Sequence, residues 1–224
     1  MGMTMASSSA QAHPPKRETP KRAHFSLIRQ FVLADFITLS NAACGTVVLF
    51  LCLDHIAAQG DGPYLWVAFA LLPLALIFDI ADGAVARWRH HKSPFGGDLD
   101  SLADAISFGV APVVLGFTLG LRGGFDMILL VFFVCCGIGR LARYNVTVEA
   151  LSGGTGKVPY YEGLPIPASL GIVAFLAFCF WSDRVGDALP GGEWVIGMAF
   201  HPFSLLYVLS GLAMVSQTLR IPKP

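Results

Sequence analysis

Between Asp79 and Asp104 the chain reads DIADGAVARWRHHKSPFGGDLDSLAD, and this stretch decides the fold. It carries five of the 15 acidic residues of the chain, although apolar runs lie on both sides of it. Asp79 precedes Asp82 by three residues, and Asp100 precedes Asp104 by four residues. Either spacing places two carboxylates on one face of a helix. The stretch therefore predicts two consecutive helices whose acidic faces can meet across a short turn.

The composition of the chain places these acids in an integral membrane protein. Of its 224 residues, 54% are hydrophobic and 13% are charged, and the mean hydropathy is +0.63. A soluble domain carries roughly 25% charged residues, so neither a soluble core nor a largely disordered chain fits this composition. The formal net charge is zero, which argues against nucleic acid as a partner. Membrane lipids are the expected surroundings.

Six apolar runs are candidates for transmembrane helices. They cover residues 31–53, 64–86, 101–121, 125–146, 165–182 and 194–217. The segments between them, including a loop at 149–164, are rich in Gly, Pro and charged residues, as is typical of turns and loops. Since one span needs about 20 apolar residues, the sequence predicts an all-α integral membrane protein with six transmembrane helices.

The distribution of Lys and Arg predicts the orientation. If the N-terminus is cytoplasmic, 13 of the 15 basic residues lie on the cytoplasmic side, and only Arg122 and Arg184 lie outside. The positive-inside rule therefore predicts that both termini are cytoplasmic. The chain divides into a disordered basic tail (1–28), a six-helix membrane domain (29–219) and a short cytoplasmic tail (220–224). We expect the protein in the inner, cytoplasmic membrane, with the aspartates on the cytoplasmic side.

Clustered acids at membrane depth suggest bound cations. A charged residue inside a transmembrane helix costs roughly 2.5–3.5 kcal/mol on insertion scales and usually has a function. Four converging carboxylates repel one another unless cations lie between them, and purely oxygen ligands suit Mg²⁺ or Mn²⁺, here as a pair of ions. The alternative is that the acids are solvated helix ends or pair with Arg87 and Arg89. Gly83 would let a ligand approach the backbone, and Arg87 can contact a phosphate.

Other polar residues have simpler expected roles. Asp98 is an additional carboxylate that we expect to be solvated or salt-bridged rather than bound to a metal. Asp35, near the start of the first run, is placed to cap a helix. The five cysteines lack the spacing of metal ligands and are expected to be small buried hydrophobic residues.

A longer pattern contains the aspartates. It is Asp-Gly-x2-Ala-Arg-x8-Gly-x3-Asp-x3-Asp, present in full as Asp82, Gly83, Ala86, Arg87, Gly96, Asp100 and Asp104. This pattern resembles the signature of the CDP-alcohol phosphatidyltransferases. Four segments are similar to the phosphatidylserine synthase branch of that family, namely 38–41, 95–112, 139–145 and 163–167. The resemblance covers about residues 30–180, and the predicted six helices agree with the family fold.

The resemblance implies an activity and a set of site residues. Members of the family transfer a phosphatidyl group from a CDP-linked lipid, here CDP-diacylglycerol, to an alcohol, here L-serine, and release CMP. The two divalent cations, Mg²⁺ or Mn²⁺, would be bound by Asp79, Asp82 and Asp100, with Asp104 as a further ligand and the general base. The cytidine diphosphate would be held by Gly83, Ala86 and Arg87, with a contribution from Ser93. The family also implies a homodimer.

The acceptor serine requires binding residues of its own. It is a zwitterion, so its carboxylate favours an arginine. Arg140 and Arg143, at the cytoplasmic end of the fourth run, are the candidates, with Asn41 and Asn145 as polar partners. Both arginines could instead only anchor the helix in the membrane. We expect direct in-line attack of the serine hydroxyl on phosphorus, without a covalent enzyme intermediate.

Two other functions stay open on the sequence alone. One is the same chemistry with another alcohol, such as glycerol phosphate, inositol phosphate or another amino alcohol; a phosphorylated acceptor would require a denser basic cluster. The other is a small cation carrier that uses the aspartates as its transport site. Gly83 and Arg87 have no role in such a transport path, which counts against the carrier.

Overall fold

Four of the apolar runs form helices long enough to cross a membrane. The computed structural model describes residues 32–60, 63–89, 96–152, 160–216, 218 and 220–222, which are mostly helical. The long apolar helices are Leu33–Ala57, Tyr64–Trp88, Gly96–Thr118 and Gly124–Thr147. Each has 23 to 25 residues, and at 1.5 Å per residue this length matches the roughly 30 Å core of a bilayer. The predicted tail of residues 1–28 lies outside the described residues.

The first two helices, α1 (Leu33–Ala57) and α2 (Tyr64–Arg89), pack against each other along much of their length. Asp35 caps α1 as expected, because its Oδ2 accepts a hydrogen bond of 2.8 Å from the backbone N–H of Val32. The turn after α1 uses Gly60 at φ 93°, a left-handed conformation that glycine adopts without strain.

The third span changes its helical geometry inside the membrane domain. It consists of α3 (Gly96–Asp104), a π-helical segment (Ala105–Val110) and α4 (Ala111–Thr118). The span therefore begins five residues before the predicted run of 101–121. Wider π turns are uncommon and are found frequently at functional sites. This one begins directly after the last aspartate of the signature.

The fourth span, α5 (Gly124–Ser152), is the longest helix and continues past the predicted end at residue 146. Two shorter apolar helices follow, α6 (Leu170–Trp181) and α7 (Leu205–Val215). Each is preceded by a 3₁₀ turn, Ile166–Ser169 and Pro202–Ser204 respectively. α6 coincides with the fifth predicted run, and α7 with the second half of the sixth.

The first part of the sixth predicted run is not helical. Its residues form a hairpin of two strands, β2 (Trp194–Ile196) and β3 (Met198–Phe200), which pair antiparallel around Gly197. Gly197 has φ 77°, which would be strained for any other residue type. Apolar β-branched and aromatic residues favour extended strands as well as membrane spans, so apolar content alone did not separate the two. A second pair joins β1 (Tyr160–Glu162), in the predicted 149–164 loop, to β4 (Arg220–Pro222).

Large apolar side chains lie both inside the bundle and on its outer surface. Phe108 and Leu115 are completely buried, whereas Phe50, Ile77 and Ile80 are each about 60% exposed. A continuous outer surface of this kind is suited to lipid and would be unfavourable in water. Several buried polar residues lie instead near helix ends, such as Asp35 in the first turn of α1 and Asp126 in the first turn of α5.

Candidate functional site

The predicted acidic faces of α2 and α3 meet at one end of the bundle. Asp79 and Asp82 lie in the C-terminal half of α2, and Asp100 lies in the middle of α3. One carboxylate oxygen from each residue lies within 4.8 Å of the other two. We call these three residues the carboxylate trio. Asp82 is 7% exposed, so part of this charge is held away from water.

Asp104 lies beside the trio. It is 8% exposed and lies one helical turn after Asp100 on α3. Its Oδ1 accepts a hydrogen bond of 3.2 Å from Nδ2 of Asn41 on α1. That bond leaves Oδ2, the second oxygen of the carboxylate, available to accept a proton. Asp104 is thus held by α1 and does not belong to the three carboxylates that are closest to one another.

A polar stripe on α1 supports these carboxylates. Asp35, Thr38 and Asn41 are all buried and recur every three residues, so they lie on one face of the helix. The hydroxyl of Thr38 donates a hydrogen bond of 2.5 Å to Oδ2 of Asp82. Residues outside the ligand shell that orient ligands in this way typically determine metal affinity. α1 thus holds one carboxylate on each of the two facing helices.

The π-helical segment fixes Asn41 in place. Ser107, the first of three consecutive buried residues in that segment, donates from its hydroxyl to the backbone carbonyl of Asn41 at 2.8 Å. Gly45 lies one turn further along α1, and a Cβ built on it would lie 2.5 Å from Oγ of Ser107. Only glycine permits this close approach of the two helices. The helical distortion after Asp104 therefore positions the residue that binds it.

The trio fits a divalent cation. Oδ1 of Asp100 is buried and accepts no hydrogen bond from the described residues, so its charge lacks the stabilisation that a buried carboxylate requires. Arg87 is exposed and forms no ion pair with any described carboxylate. The alternative to a metal site in which the acids pair with Arg87 is therefore not observed. Three convergent oxygen donors are suited to a hard divalent ion such as Mg²⁺ or Mn²⁺.

The predicted phosphate-binding residues lie one turn beyond Asp82. A Cβ built on Gly83 would lie 3.4 Å from Nη1 of Arg87, so the exposed guanidinium lies directly beside the half-buried glycine. Ala86 is half-buried on the same helix. Ser93, the remaining predicted contact of the cytidine diphosphate, lies outside the described residues.

The predicted serine-binding residues on α5 occupy different environments. Arg140 is buried, and its guanidinium lies over the ring of Tyr144, 5.9 Å from its centroid. Nη1 of Arg143 donates to the carbonyl of Val215 at 3.1 Å, at the C-terminal end of α7. Cations favour such helix ends, so Arg143 has a structural role there.

Asn145 connects α5 to α3. Its Oδ1 accepts a hydrogen bond of 3.0 Å from the hydroxyl of Ser101, and its Nδ2 donates to Oδ1 of Asp98 at 3.5 Å. Asp98 is exposed, in line with the solvated role expected for it. Asn145 therefore lies within reach of the helix that carries Asp100.

Sequence reasoning did not assign a role to Thr38 or Ser107. Thr38 could have been found, because polar residues spaced by three in an otherwise apolar span are costly and usually functional. Ser107 could not, since a lone serine in an apolar run is common and its contact with Asn41 depends on the π turn.

These features define the class of the molecule. It is a helical membrane protein with three clustered carboxylates, suited to a divalent cation, at one end of its bundle, next to a half-buried glycine and an arginine suited to phosphate. A model of the CDP-alcohol phosphatidyltransferase family matches residues 31–209. The chain belongs to the CDP-alcohol phosphatidyltransferase family, and it is a membrane-bound transferase.

The chain is also similar to curated proteins that are named as serine-specific enzymes of this kind. The chain is 41% identical over 210 residues to the CDP-diacylglycerol–serine O-phosphatidyltransferase of Saccharomyces cerevisiae, covering 92% of this chain and 76% of the relative. It is 30% identical over 199 residues to the enzyme of the same name from Methanocaldococcus jannaschii, covering 89% and 78%. It is 39% identical over 155 residues to the archaetidylserine synthase of Methanothermobacter thermautotrophicus, covering 67% and 60%.

Proposed function

We propose that this chain transfers the phosphatidyl group of CDP-diacylglycerol to the hydroxyl of L-serine, giving phosphatidylserine and CMP. The carboxylate trio carries this proposal, because it provides three convergent oxygen ligands beside a glycine and an arginine that suit a diphosphate. The names of the relatives support serine as the acceptor. Membership of a transferase family also counts against the cation carrier that the sequence left open.

Asp79, Asp82 and Asp100 would hold the two divalent cations, with Asp104 as a further ligand. Bound there, the cations would supply charge neutralisation for the diphosphate and its leaving group. Thr38 keeps Asp82 oriented toward the other two carboxylates through its hydrogen bond. The observation that favours this assignment is the buried Oδ1 of Asp100, which accepts no hydrogen bond within the described parts of the chain.

Asp104 would act as the general base. It accepts the proton of the serine hydroxyl on Oδ2, while Oδ1 stays bonded to Nδ2 of Asn41. The serine oxygen then forms a bond to the lipid-linked phosphorus as the bond from that phosphorus to the CMP oxygen breaks. CMP leaves with the bonding electrons, and attack is in line, without a covalent enzyme intermediate.

Gly83, Ala86 and Arg87 would bind the cytidine diphosphate, with Ser93 as an additional contact. The glycine lets a phosphate approach the backbone of α2, and the exposed guanidinium of Arg87 lies beside that opening. A guanidinium offers paired N–H donors that match two phosphate oxygens.

Asn41, Arg140, Arg143 and Asn145 would bind the acceptor serine. Oδ1 of Asn41 is buried and accepts no hydrogen bond from any described group, so it can accept one from the serine ammonium. The same side chain holds Asp104, which would place the serine beside its base. We assign the serine carboxylate to Arg140, because it is buried and water screens a buried pair of charges less; Arg143 binds carbonyls of α7.

We also propose six spans with both termini in the cytoplasm and the site on the cytoplasmic side of an inner, cytoplasmic membrane. The four long apolar helices support four of these crossings, and the two shorter ones, Ile166–Trp181 and Pro202–Val215, would be the other two. The excess of Lys and Arg at the end that carries the trio supports the orientation. A homodimer, implied by the family resemblance, would be tested by measuring the mass of the protein in nanodiscs.

The test of the function uses purified protein in detergent with CDP-diacylglycerol and Mn²⁺ or Mg²⁺. CMP release is measured with no acceptor, with L-serine, with glycerol phosphate and with inositol phosphate. We expect release that depends on L-serine and is lost in Asp104→Asn. Release that depends on a phosphorylated acceptor would retain the family and reject serine, and release with no acceptor would indicate hydrolysis instead.

A further inference from the structure

A second polar region lies at the end of the bundle opposite the carboxylate trio. It surrounds a cavity of about 410 Å³, which is within the size range of small-molecule sites. His55 lines this cavity and lies 17 residues beyond Thr38 on α1, so at 1.5 Å per residue the two positions are about 25 Å apart. The reaction proposed above uses none of the residues that line the cavity.

Close contacts between backbone segments hold the cavity wall together. A Cβ on Gly120 would collide with Cα of Gly186, and the N–H of Gly186 donates to the carbonyl of Leu119 at 2.8 Å. A Cβ on Gly123 would likewise collide with the backbone oxygen of Ala199. The turn after α4, the turn after α6 and the hairpin before α7 therefore meet with no space for a side chain between them.

His201 is the best-defined side chain in the cavity wall. It is 3% exposed, and its Nδ1 lies 2.7 Å from Oδ2 of Asp126, which is completely buried. The same carboxylate accepts hydrogen bonds from the backbone N–H of His201 at 2.9 Å and of Gly123 at 3.1 Å. One buried carboxylate thus fixes the imidazole and the turn that carries Arg122.

The second ring nitrogen of His201 is buried and has no hydrogen-bond partner among the described residues, which is costly. A carboxylate can only accept, so Nδ1 carries the proton toward Asp126, and Nε2 of the neutral ring is an acceptor that requires a donor. Oδ1 of Asp187 lies 3.9 Å from this Nε2. Two acceptors at that separation can both be reached by one donor group about 2.9 Å from each.

A primary ammonium is the donor that these two acceptors favour. It has three N–H groups, so it can donate to Nε2 of His201 and to the carboxylate of Asp187 at the same time. The carboxylate of Glu193, a second exposed acid that lines the cavity, also favours a positive charge there. A quaternary ammonium has no N–H and could not make this bridge.

Arg122 gives the same cavity a site for an anion. Its Nε and Nη2 donate to the carbonyls of Phe117 and Thr118 at the end of α4, which holds the guanidinium in place. These two bonds leave Nη1 without a hydrogen bond inside the described parts of the chain. Since a guanidinium matches phosphate oxygens well, the cavity has groups for both charges of a zwitterion that contains an ammonium and a phosphate.

Aromatic side chains place the cavity at the level of lipid headgroups. Phe180 lines the cavity, and its ring lies 5.2 Å from that of Trp66, measured between centroids. Trp66, Trp181 and Trp194 all expose about half or more of their surface near this end of the bundle. Tryptophan is enriched where a membrane meets water, so these residues favour a lipid as the source of the zwitterion.

We propose that this cavity binds the headgroup of a lipid with a primary ammonium and a phosphate, of the phosphoethanolamine type. The ammonium donates to Nε2 of His201 and to the carboxylate of Asp187, and the phosphate lies against Arg122. In the orientation proposed above, the bound lipid belongs to the leaflet opposite the reaction. The inference does not depend on the acceptor or the metal proposed for the carboxylate trio.

The experiment compares lipids that differ only in the ammonium. The full chain is purified in detergent, and native mass spectrometry measures its binding of phosphatidylethanolamine and phosphatidylcholine with identical acyl chains. We expect phosphatidylethanolamine to bind about tenfold or more tightly, because only its ammonium can donate to the buried Nε2. Equal binding of the two lipids would overturn the proposal.

His201→Asn tests the acceptor itself. The asparagine amide can still donate to Asp126 from near the position of Nδ1, but it has no atom at the position of Nε2. We expect the preference for phosphatidylethanolamine to disappear while the thermal unfolding temperature stays within a few degrees of that of the unmodified chain. An unchanged preference in this variant would also overturn the proposal.

Asp187→Asn gives a second test that does not touch the core, because the side chain of Asp187 is 86% exposed. We expect it to weaken phosphatidylethanolamine binding about threefold, since an exposed charge pair contributes less than a buried one. Asp183→Asn is the matched control, an exposed acid four residues earlier that does not line the cavity. Equal binding by these two variants would contradict the role of Asp187.

Soluble phosphoethanolamine distinguishes a lipid from a free zwitterion. We expect it to displace bound phosphatidylethanolamine only when it is in large excess, because it lacks the acyl chains that the surrounding apolar surface contacts. Displacement at equal concentrations would overturn the lipid assignment and identify the ligand as a free phosphoamine.

Discussion

The hydroxyl of Thr38 donates a hydrogen bond of 2.5 Å to Oδ2 of Asp82, and this bond joins two helices across 44 positions of sequence. Thr38 is 4% exposed, so the bond is made where water cannot substitute for it. The carboxylate of Asp82 has two oxygens, and fixing one of them determines where the other can point. Thr38, on the largely apolar helix α1, thereby orients one carboxylate of the trio.

Replacing Thr38 by Val should weaken cation binding without changing the shape of α1. Valine matches threonine in size but removes the hydroxyl, and loss of an outer hydrogen bond typically costs 10- to 100-fold in metal affinity. We expect the Mn²⁺ concentration for half-maximal CMP release to rise by about that factor, and Thr38→Ser to restore it in part. Thr46→Val is the control, because Thr46 bonds only to the carbonyl of Ala42 on its own helix. Identical Mn²⁺ curves for the two valine variants would contradict the role of Thr38.

Replacing Asn41 by Ala should affect both the base and the acceptor. Loss of the Nδ2 donor releases Asp104, and loss of Oδ1 removes the proposed ligand of the serine ammonium. A hydrogen bond to a charged group contributes about 1.5–3 kcal/mol, so kcat should fall and the KM for serine should rise, each by about tenfold or more. Ser40→Ala, on the exposed face of the same turn, should change neither. A fall in kcat alone would leave Asn41 as a positioning residue that does not bind serine.

The acceptor and anchoring roles of the two arginines can be separated by kinetics and stability. Arg140→Ala should raise the KM for serine about tenfold or more, since a bond between charged groups is lost. Arg143→Ala should instead lower the thermal unfolding temperature by several degrees, because two carbonyls at the end of α7 lose their donor. Arg184→Ala, an exposed arginine, is the control for both measurements. A larger rise in the serine KM for Arg143→Ala than for Arg140→Ala would reverse the assignment.

A methyl group on Gly83 should impair binding of the cytidine diphosphate. The added Cβ would lie 3.4 Å from Nη1 of Arg87 and would cover the backbone that a phosphate is proposed to approach. We expect the KM for CDP-diacylglycerol to rise about tenfold or more while the protein stays folded. Gly171→Ala in the first turn of α6, where a Cβ meets no atom within 4 Å, provides the control on another helix. Equal KM values in the two variants would show that Gly83 is not a phosphate contact.

The acidic site was the most predictable part of the molecule, because spacings of three and four residues fix which side chains share a helical face. Asp79, Asp82 and Asp100 meet as that spacing requires. The support for these residues was harder to predict. The bonds from Thr38 to Asp82 and from Asn41 to Asp104 span 44 and 63 positions, and no local pattern determines such pairings.

The hairpin at 194–200 was missed for a different physical reason. A membrane-spanning helix and a buried or lipid-facing strand can have the same apolar content. The helix that follows the hairpin, α7, is short, and its apolar content did not distinguish it from the two strands before it. The local signal in the sequence was Gly197 itself, since an isolated glycine in an extended apolar run suggests a bulge or tight bend; in the structure its φ is 77°.

The most direct test of the central claim compares Asp100→Asn with Asp98→Asn, two substitutions on the same helix. Asp100 belongs to the carboxylate trio, whereas Asp98 is exposed and lies outside it. Mn²⁺ binding, followed by the loss of the free-ion electron paramagnetic resonance signal, and serine-dependent CMP release are measured on the same purified samples. We predict that Asp100→Asn loses tight Mn²⁺ binding at this site together with CMP release, and that Asp98→Asn retains both. Full serine-dependent CMP release by Asp100→Asn would contradict the account.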